Sequence, residues 1–105
     1  TLRPVAIMIN HRTFSAPEAV TYALQQEQRA VVVGSRSSGG ANMMDDAASL
    51  PSGFRLGVPI HRPIGRLTGT NWEGIGVQPD EVTSGDATLW RAWEIVRQRL
   101  ADAGS

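Results

Sequence analysis

Two apolar runs of strand length flank a single helical pattern, and this spacing limits the fold more than any other feature of the chain. Residues 4–9 (Pro-Val-Ala-Ile-Met-Ile) form the first run. They read as the end of a strand over residues 1–9, apolar on both faces as in the middle of an α/β sheet. Residues 16–28 follow as a helix, with Ala16, Val20, Ala23 and Leu24 on one stripe and Glu18, Thr21, Gln25 and Gln28 opposite. Arg29 closes it with a cation at the dipole's negative end. Residues 30–33 are a second β-branched run, ended by Gly34. Strand, helix and strand with short links predict a parallel βαβ unit.

The junction between the first strand and the helix carries Ser15, Pro17 and Glu18. Proline suits the first helical turn, where its fixed φ fits and its missing N–H is not needed. Ser15 with Glu18 matches a capping box, in which each side chain satisfies a backbone N–H of the other residue. Ser15 therefore has two readings: a helix cap, stabilising by about 1 kcal/mol, or a nucleophile. A strand-to-helix junction exposes a hydroxyl and aims free N–H groups, with the helix dipole, at a developing oxyanion.

The remainder has weaker punctuation. Residues 35–42 are a small-residue loop containing Gly39-Gly40, which could cradle a phosphate but lacks a complete nucleotide-binding motif. Residues 43–50 and 54–60 are expected to form a hairpin across the turn at 51–53, with Phe54, Leu56 and Val58 on one side. Residues 61–70 are an irregular loop, and 78–81 a turn. Asp86 can cap a last helix reaching Ala103, with Gly104 behind it. Leu89, Trp93, Val96 and Leu100 form its apolar face, with Trp90 beside them. Both tryptophans read as core or docking anchors.

Composition excludes several chemistries. The net charge is zero, so no electrostatic case exists for nucleic acid or an anionic membrane. No apolar run approaches a membrane span. There is no cysteine, hence no disulfide, thiolate metal site or cysteine nucleophile. All ten basic residues are arginine, which rules out a Ser–Lys dyad or a P-loop within this chain. His11, four residues before Ser15, could turn back as a general base or remain a solvated loop residue. His61 has no partner at metal-ligand spacing, and Asp45-Asp46 reads as a solvated edge or turn. No metal or cofactor is implied. Glu73 lies between Trp72 and Gly74, and a carboxylate in such an apolar stretch is either at a rim or held by a partner.

Three motifs in order carry a family resemblance: residues 13–18 (Thr-Phe-Ser-Ala-Pro-Glu), Val33-Gly34 with Gly39-Gly40, and residues 71–80 (Asn-Trp-Glu-Gly-Ile-Gly-Val-Gln-Pro-Asp). The chain resembles the C-terminal part of the catalytic domain of the tail-specific protease superfamily. That superfamily includes C-terminal processing peptidases, tricorn-type proteases and the modules of interphotoreceptor retinoid-binding protein, and the last of these branches looks the nearest. The resemblance implies an α/β, Clp-protease/crotonase-like fragment: a βαβ unit, a β-hairpin and a C-terminal helix. All of residues 1–105 would then be one portion of a longer catalytic domain, since the chain starts only a few residues before a buried strand.

By the same resemblance, Ser15 stands where the family nucleophile stands and the Ala16 N–H lines the oxyanion hole. The processing branch places a base lysine where this chain has Gly40. The tricorn-type branch uses a glutamate at the position of Glu73 and a histidine from the upstream half of the domain. The implied activity is serine-type endopeptidase action on unfolded or C-terminal peptide segments, completed by that upstream half, with the isolated chain inactive. The alternative is a non-enzymatic carrier of retinoid or fatty acid, as in the retinoid-binding branch. A homodimer covering the surface of the absent half is a third expectation.

Overall fold

The computed structural model describes residues 2–44 and 47–104. Its elements are β1 (Ala6–Ile9), α1 (Ala16–Gln26), β2 (Val31–Gly34), β3 (Ala48–Ser49), β4 (Arg55–Leu56), β5 (Glu81–Val82) and α2 (Asp86–Ala103), with a 3₁₀ turn at Pro51–Gly53. The expected βαβ unit is present: β1 and β2 are parallel, with Ala6 opposite Val31 and Ile9 opposite Gly34. The sheet order is β1-β2-β5. The middle strand is therefore β2, and β1, expected there, lies at an edge. β5 falls partly inside the segment expected to be a turn, and it pairs in parallel with Val33 and Gly34.

Alternation along β2 explains how the layers assemble. Val32 and Val33 are both fully buried, and successive residues of a strand face opposite sides. Val32 packs with Ile9, Ala41, Trp72 and Val77 on the α1 side, joined by Ala19 and Tyr22. Val33 packs with Ala92 and Ile95 of α2 on the other side, joined by Ala6 and Val31. A three-stranded sheet between two helices results. Arg91 fastens α2 to β5 by a two-pronged pair with Glu81, Nε to Oε1 2.6 Å and Nη2 to Oε2 3.0 Å.

Both helices bury a different face from the one their apolar spacing predicts. In α1, Glu18 and Thr21 are buried, whereas Val20 is 58% exposed. Thr21 meets its need inside the helix, Oγ1 donating to the Pro17 carbonyl at 2.8 Å. In α2, the small Ala92 lets the helix approach the sheet. Leu89, Trp90, Trp93 and Leu100 point outward, so neither tryptophan is a core anchor, and Arg97 stacks over the Trp93 ring. Asp86 sits in the first turn, and Gly85 takes the cap position.

The helix α1 ends at Gln26, two residues early, in a Schellman turn. Arg29 N–H donates to the Leu24 carbonyl and Gln28 N–H to the Gln25 carbonyl, with Gln28 at φ 55°. The hairpin shrinks to two residues per strand, Ala48 opposite Leu56 and Ser49 opposite Arg55, plus a bridge between Met43 and His61. Gly57 and Pro59 account for this, since neither supports a continuous ladder. Asp45 and Asp46 lie outside the described residues. The molecule is elongated, 65 × 30 × 18 Å.

Gly34 is a point where the backbone of β2 lies close against that of β1. Its φ is +131°, and a Cβ there would stand 2.0 Å from the Ile9 carbonyl oxygen. Gly34→Ala in the full-length protein is expected to destabilise by about 3 kcal/mol or more, because backbone and not a side chain must move. Thermal or urea unfolding checks this. An unchanged midpoint would show that the strand ends are not held as described.

Candidate active site

Ser15 is exposed at the start of α1, and its backbone is strained. Its φ and ψ are 66° and −120°, the geometry of the first central residue of a type II′ turn, where glycine is usual. A non-glycine residue held there costs about 1–3 kcal/mol. The capping-box pair is in position, but only its carboxylate half closes tightly. Ser15 N–H donates to Glu18 Oε2 at 2.7 Å, while the hydroxyl makes no capping hydrogen bond. The capping box of Ser15 with Glu18 is thus formed, and its short hydrogen bond is the one that the carboxylate accepts. The Ala16 N–H, first in the helix, is one of the donors that a helix leaves without an intrahelical partner.

The Glu18 carboxylate, expected on the solvated face of α1, is fully buried. It accepts from Ser15 N–H, from Ser37 Oγ at 2.6 Å, and from the N–H groups of Gly39 at 2.6 Å and Gly40 at 2.9 Å. Gly39-Gly40 thus cradles an anion, one supplied by the protein itself. Burial works to raise the Glu18 pKa. The Ser37 hydroxyl and the N–H groups of Gly39, Gly40 and Ser15 outweigh it, so the carboxyl titrates below its ordinary value of 4.5.

Glu73 stands at a rim and has partners as well. It is exposed, and its Oε2 accepts from the N–H groups of Ala41 at 2.5 Å and Asn42 at 2.8 Å. These two bonds, Asn42 foremost, lower its pKa. The segment 71–77 that presents Glu73 is tied down on several sides. Trp72 Nε1 donates to the Gly40 carbonyl at 3.0 Å, Gly74 N–H to the Gly39 carbonyl at 2.8 Å, and Val77 N–H to Ser37 Oγ at 2.7 Å. Asp80 completes the anchorage, accepting from Val32 N–H at 2.7 Å.

Ser15 and Glu73 line one cavity of about 430 Å³, with Phe14, Gly40, Met43 and Met44. Phe14 stands where a side chain on residue 40 would start, since a Cβ there would lie 2.1 Å from its ring. Neither histidine belongs to the lining. His11 borders a separate cavity over the carboxyl ends of β1 and β2, and His61 meets Met43 through backbone hydrogen bonds. The strained serine and the buried Glu18 are what sequence reasoning did not supply, although Glu18 was visible as half of the capping box.

An exposed serine on a strained strand-to-helix elbow, in one cavity with a backbone-held carboxylate, resembles the nucleophile elbow of some hydrolases. The profile of peptidase family S41 matches residues 1–83, and the chain belongs to that family. It is 31% identical over 86 residues to the carboxyl-terminal-processing protease of Picosynechococcus sp., covering 75% of this chain and 19% of that protein. Among solved structures, the photosystem II D1 C-terminal processing protease superposes with a TM-score of 0.65 at 27% identity, over 77% of this chain and 20% of that one. A lipoprotein from Streptococcus agalactiae shares the fold, with a TM-score of 0.71 at 24% identity over 91% of this chain and 32% of that one. The chain thus spans about a fifth of the length of these processing proteases.

The site's geometry fixes two outcomes. Ser15→Gly in the full-length protein is expected to be more stable than Ser15→Ala by about 1 kcal/mol, because only glycine takes this φ without strain. A less stable glycine variant would contradict the strained elbow. Second, the Glu18 pKa is lower folded than unfolded. Its contribution is therefore present above about pH 4.5 and is lost as pH falls through the folded value. Thermal midpoints measured across that range should fall more steeply in wild type than in Glu18→Gln.

Proposed function

We propose that this chain supplies the nucleophile and the acidic member of a serine endopeptidase site, and that the parent protein cleaves peptide or unfolded-protein substrates. Ser15 attacks the scissile carbonyl, and the bond to the leaving amine then breaks from the tetrahedral intermediate. The Ala16 N–H stabilises the oxyanion, where loss of one such donor costs about 3 kcal/mol. The general base comes from the upstream half of the parent domain, as neither histidine of this chain lines the cavity. It takes the Ser15 proton and returns it to the amine. Glu73 orients that base. Both of its backbone bonds end on Oε2, so Oε1 is the acceptor we assign to the incoming group.

The observation that carries this reading is the strained, exposed Ser15 sharing a cavity with Glu73. A Ser–Lys mechanism has no support here, because residue 40 is glycine and Phe14 fills the space beside it. The curated relative is a processing protease, so the ligand-carrier alternative is the less supported. No observation favours a homodimer. No helix among the described residues is long and apolar enough to cross a membrane.

A fluorophosphonate probe on the full-length protein tests the assignment. Labelling is expected at Ser15 and should vanish in Ser15→Ala. Glu73→Gln is expected to lower peptide cleavage by about 10²-fold or more, with the fold intact. Labelling at another residue, or cleavage surviving in Ser15→Ala, would refute it.

A further inference from the structure

Glu18 has no part in the chemistry proposed above, yet it is fully buried directly behind Ser15. A helix cap needs one hydrogen bond and sits well in water. An ionised carboxylate brought indoors is costly unless its lone pairs are all engaged. Glu18 meets that condition with donors from two separate parts of the chain: the elbow, through Ser15 N–H, and the loop after β2, through Ser37, Gly39 and Gly40.

Resting on the reading of Ser15 as nucleophile, we propose that Glu18 is a positioning residue that clamps the Ser15 elbow to the loop and, through it, to the segment bearing Glu73. The connection is continuous. Ser37 Oγ donates to Glu18 and accepts from Val77 N–H, at the far end of segment 71–77. The carbonyls of Gly39 and Gly40, whose N–H groups point at Glu18, accept from Gly74 and Trp72 of that segment. The next two N–H groups of the loop, from Ala41 and Asn42, hold Glu73 itself. Removing the Glu18 charge leaves one acceptor oxygen for four donors, so the grip on Ser15 N–H weakens, the elbow relaxes from its strained φ and the hydroxyl loses its aim. Met43 and Met44, which line the cavity and make no hydrogen bond to Glu18, keep their contacts with a peptide.

The test uses the full-length protein. Glu18→Gln preserves shape but turns one acceptor oxygen into a donor facing other donors. Ser15 phosphonylation by a saturating fluorophosphonate, with loss of fluoride, is expected to slow by about 10²-fold, the size of effect that an ångström of misplacement can have. Peptide affinity, measured in a Ser15→Ala background, should change by less than about threefold. Glu18→Asp, which keeps the charge, should recover part of the rate. A folded Glu18→Gln protein that is phosphonylated at the wild-type rate, or loses rate and affinity together, overturns the proposal. If Glu18→Gln does not fold, Ser37→Ala decides: slowed phosphonylation supports the clamp, and an unchanged rate overturns it. Absence of Ser15 labelling in wild type defeats the nucleophile assignment, and this proposal with it. Normal labelling in both wild type and Glu18→Gln defeats this proposal alone.

Discussion

Four consecutive backbone N–H groups, Gly39 to Asn42, end on two carboxylates, the first pair on Glu18 and the second on Glu73. Successive amides oriented this way make an anion-binding concavity, and here the protein fills it with its own side chains. The loop thereby becomes a fixed spacer between a helix start and a carboxylate far along the sequence. Without those bonds, a run of small residues would have no reason to hold one shape.

The sheet sets the scale on which this spacer works. Ser15 follows β1, the loop follows β2, and Asp80 brings the chain back onto β2 just before β5. Two of the three segments of the site thus leave the neighbouring parallel strands β1 and β2, and the third runs into β5, which pairs with β2. Ala41, Trp72 and Val77 extend the core up to the site. The Trp72 ring, with Tyr22 5.0 Å away, fixes the base of the segment that carries Glu73. The loops are therefore seated on apolar packing as well as on hydrogen bonds.

Local signals in the sequence were sufficient for the βαβ unit, the extent of α2 and the family, because strand runs, Pro17 and the three motifs are short-range features. The buried faces of the helices were not legible. Hydrophobic spacing assigns Glu18 and Thr21 to water, yet the donors that make Glu18 welcome inside lie in a loop on the far side of β2. Spacing likewise assigns Leu89, Trp93 and Leu100 to the core, whereas Ala92 and Ile95 make the contact. β5 carries no sequence signal because two residues have no periodicity, and Pro59 interrupts the ladder that the alternation in 54–60 suggests. Ser15 and Glu73 could be marked as candidates, but that they share a cavity follows only from the pairing of loops.

The backbone angles at Ser15 bear on when the hydroxyl becomes aimed. Its unusual direction belongs to the main chain, held by Glu18, and so is established while the protein folds. Whatever approaches the cavity meets a serine whose Cα–Cβ bond already has its direction, because that direction follows from the main chain. The strain of holding it is carried permanently by the resting fold, as slightly reduced stability.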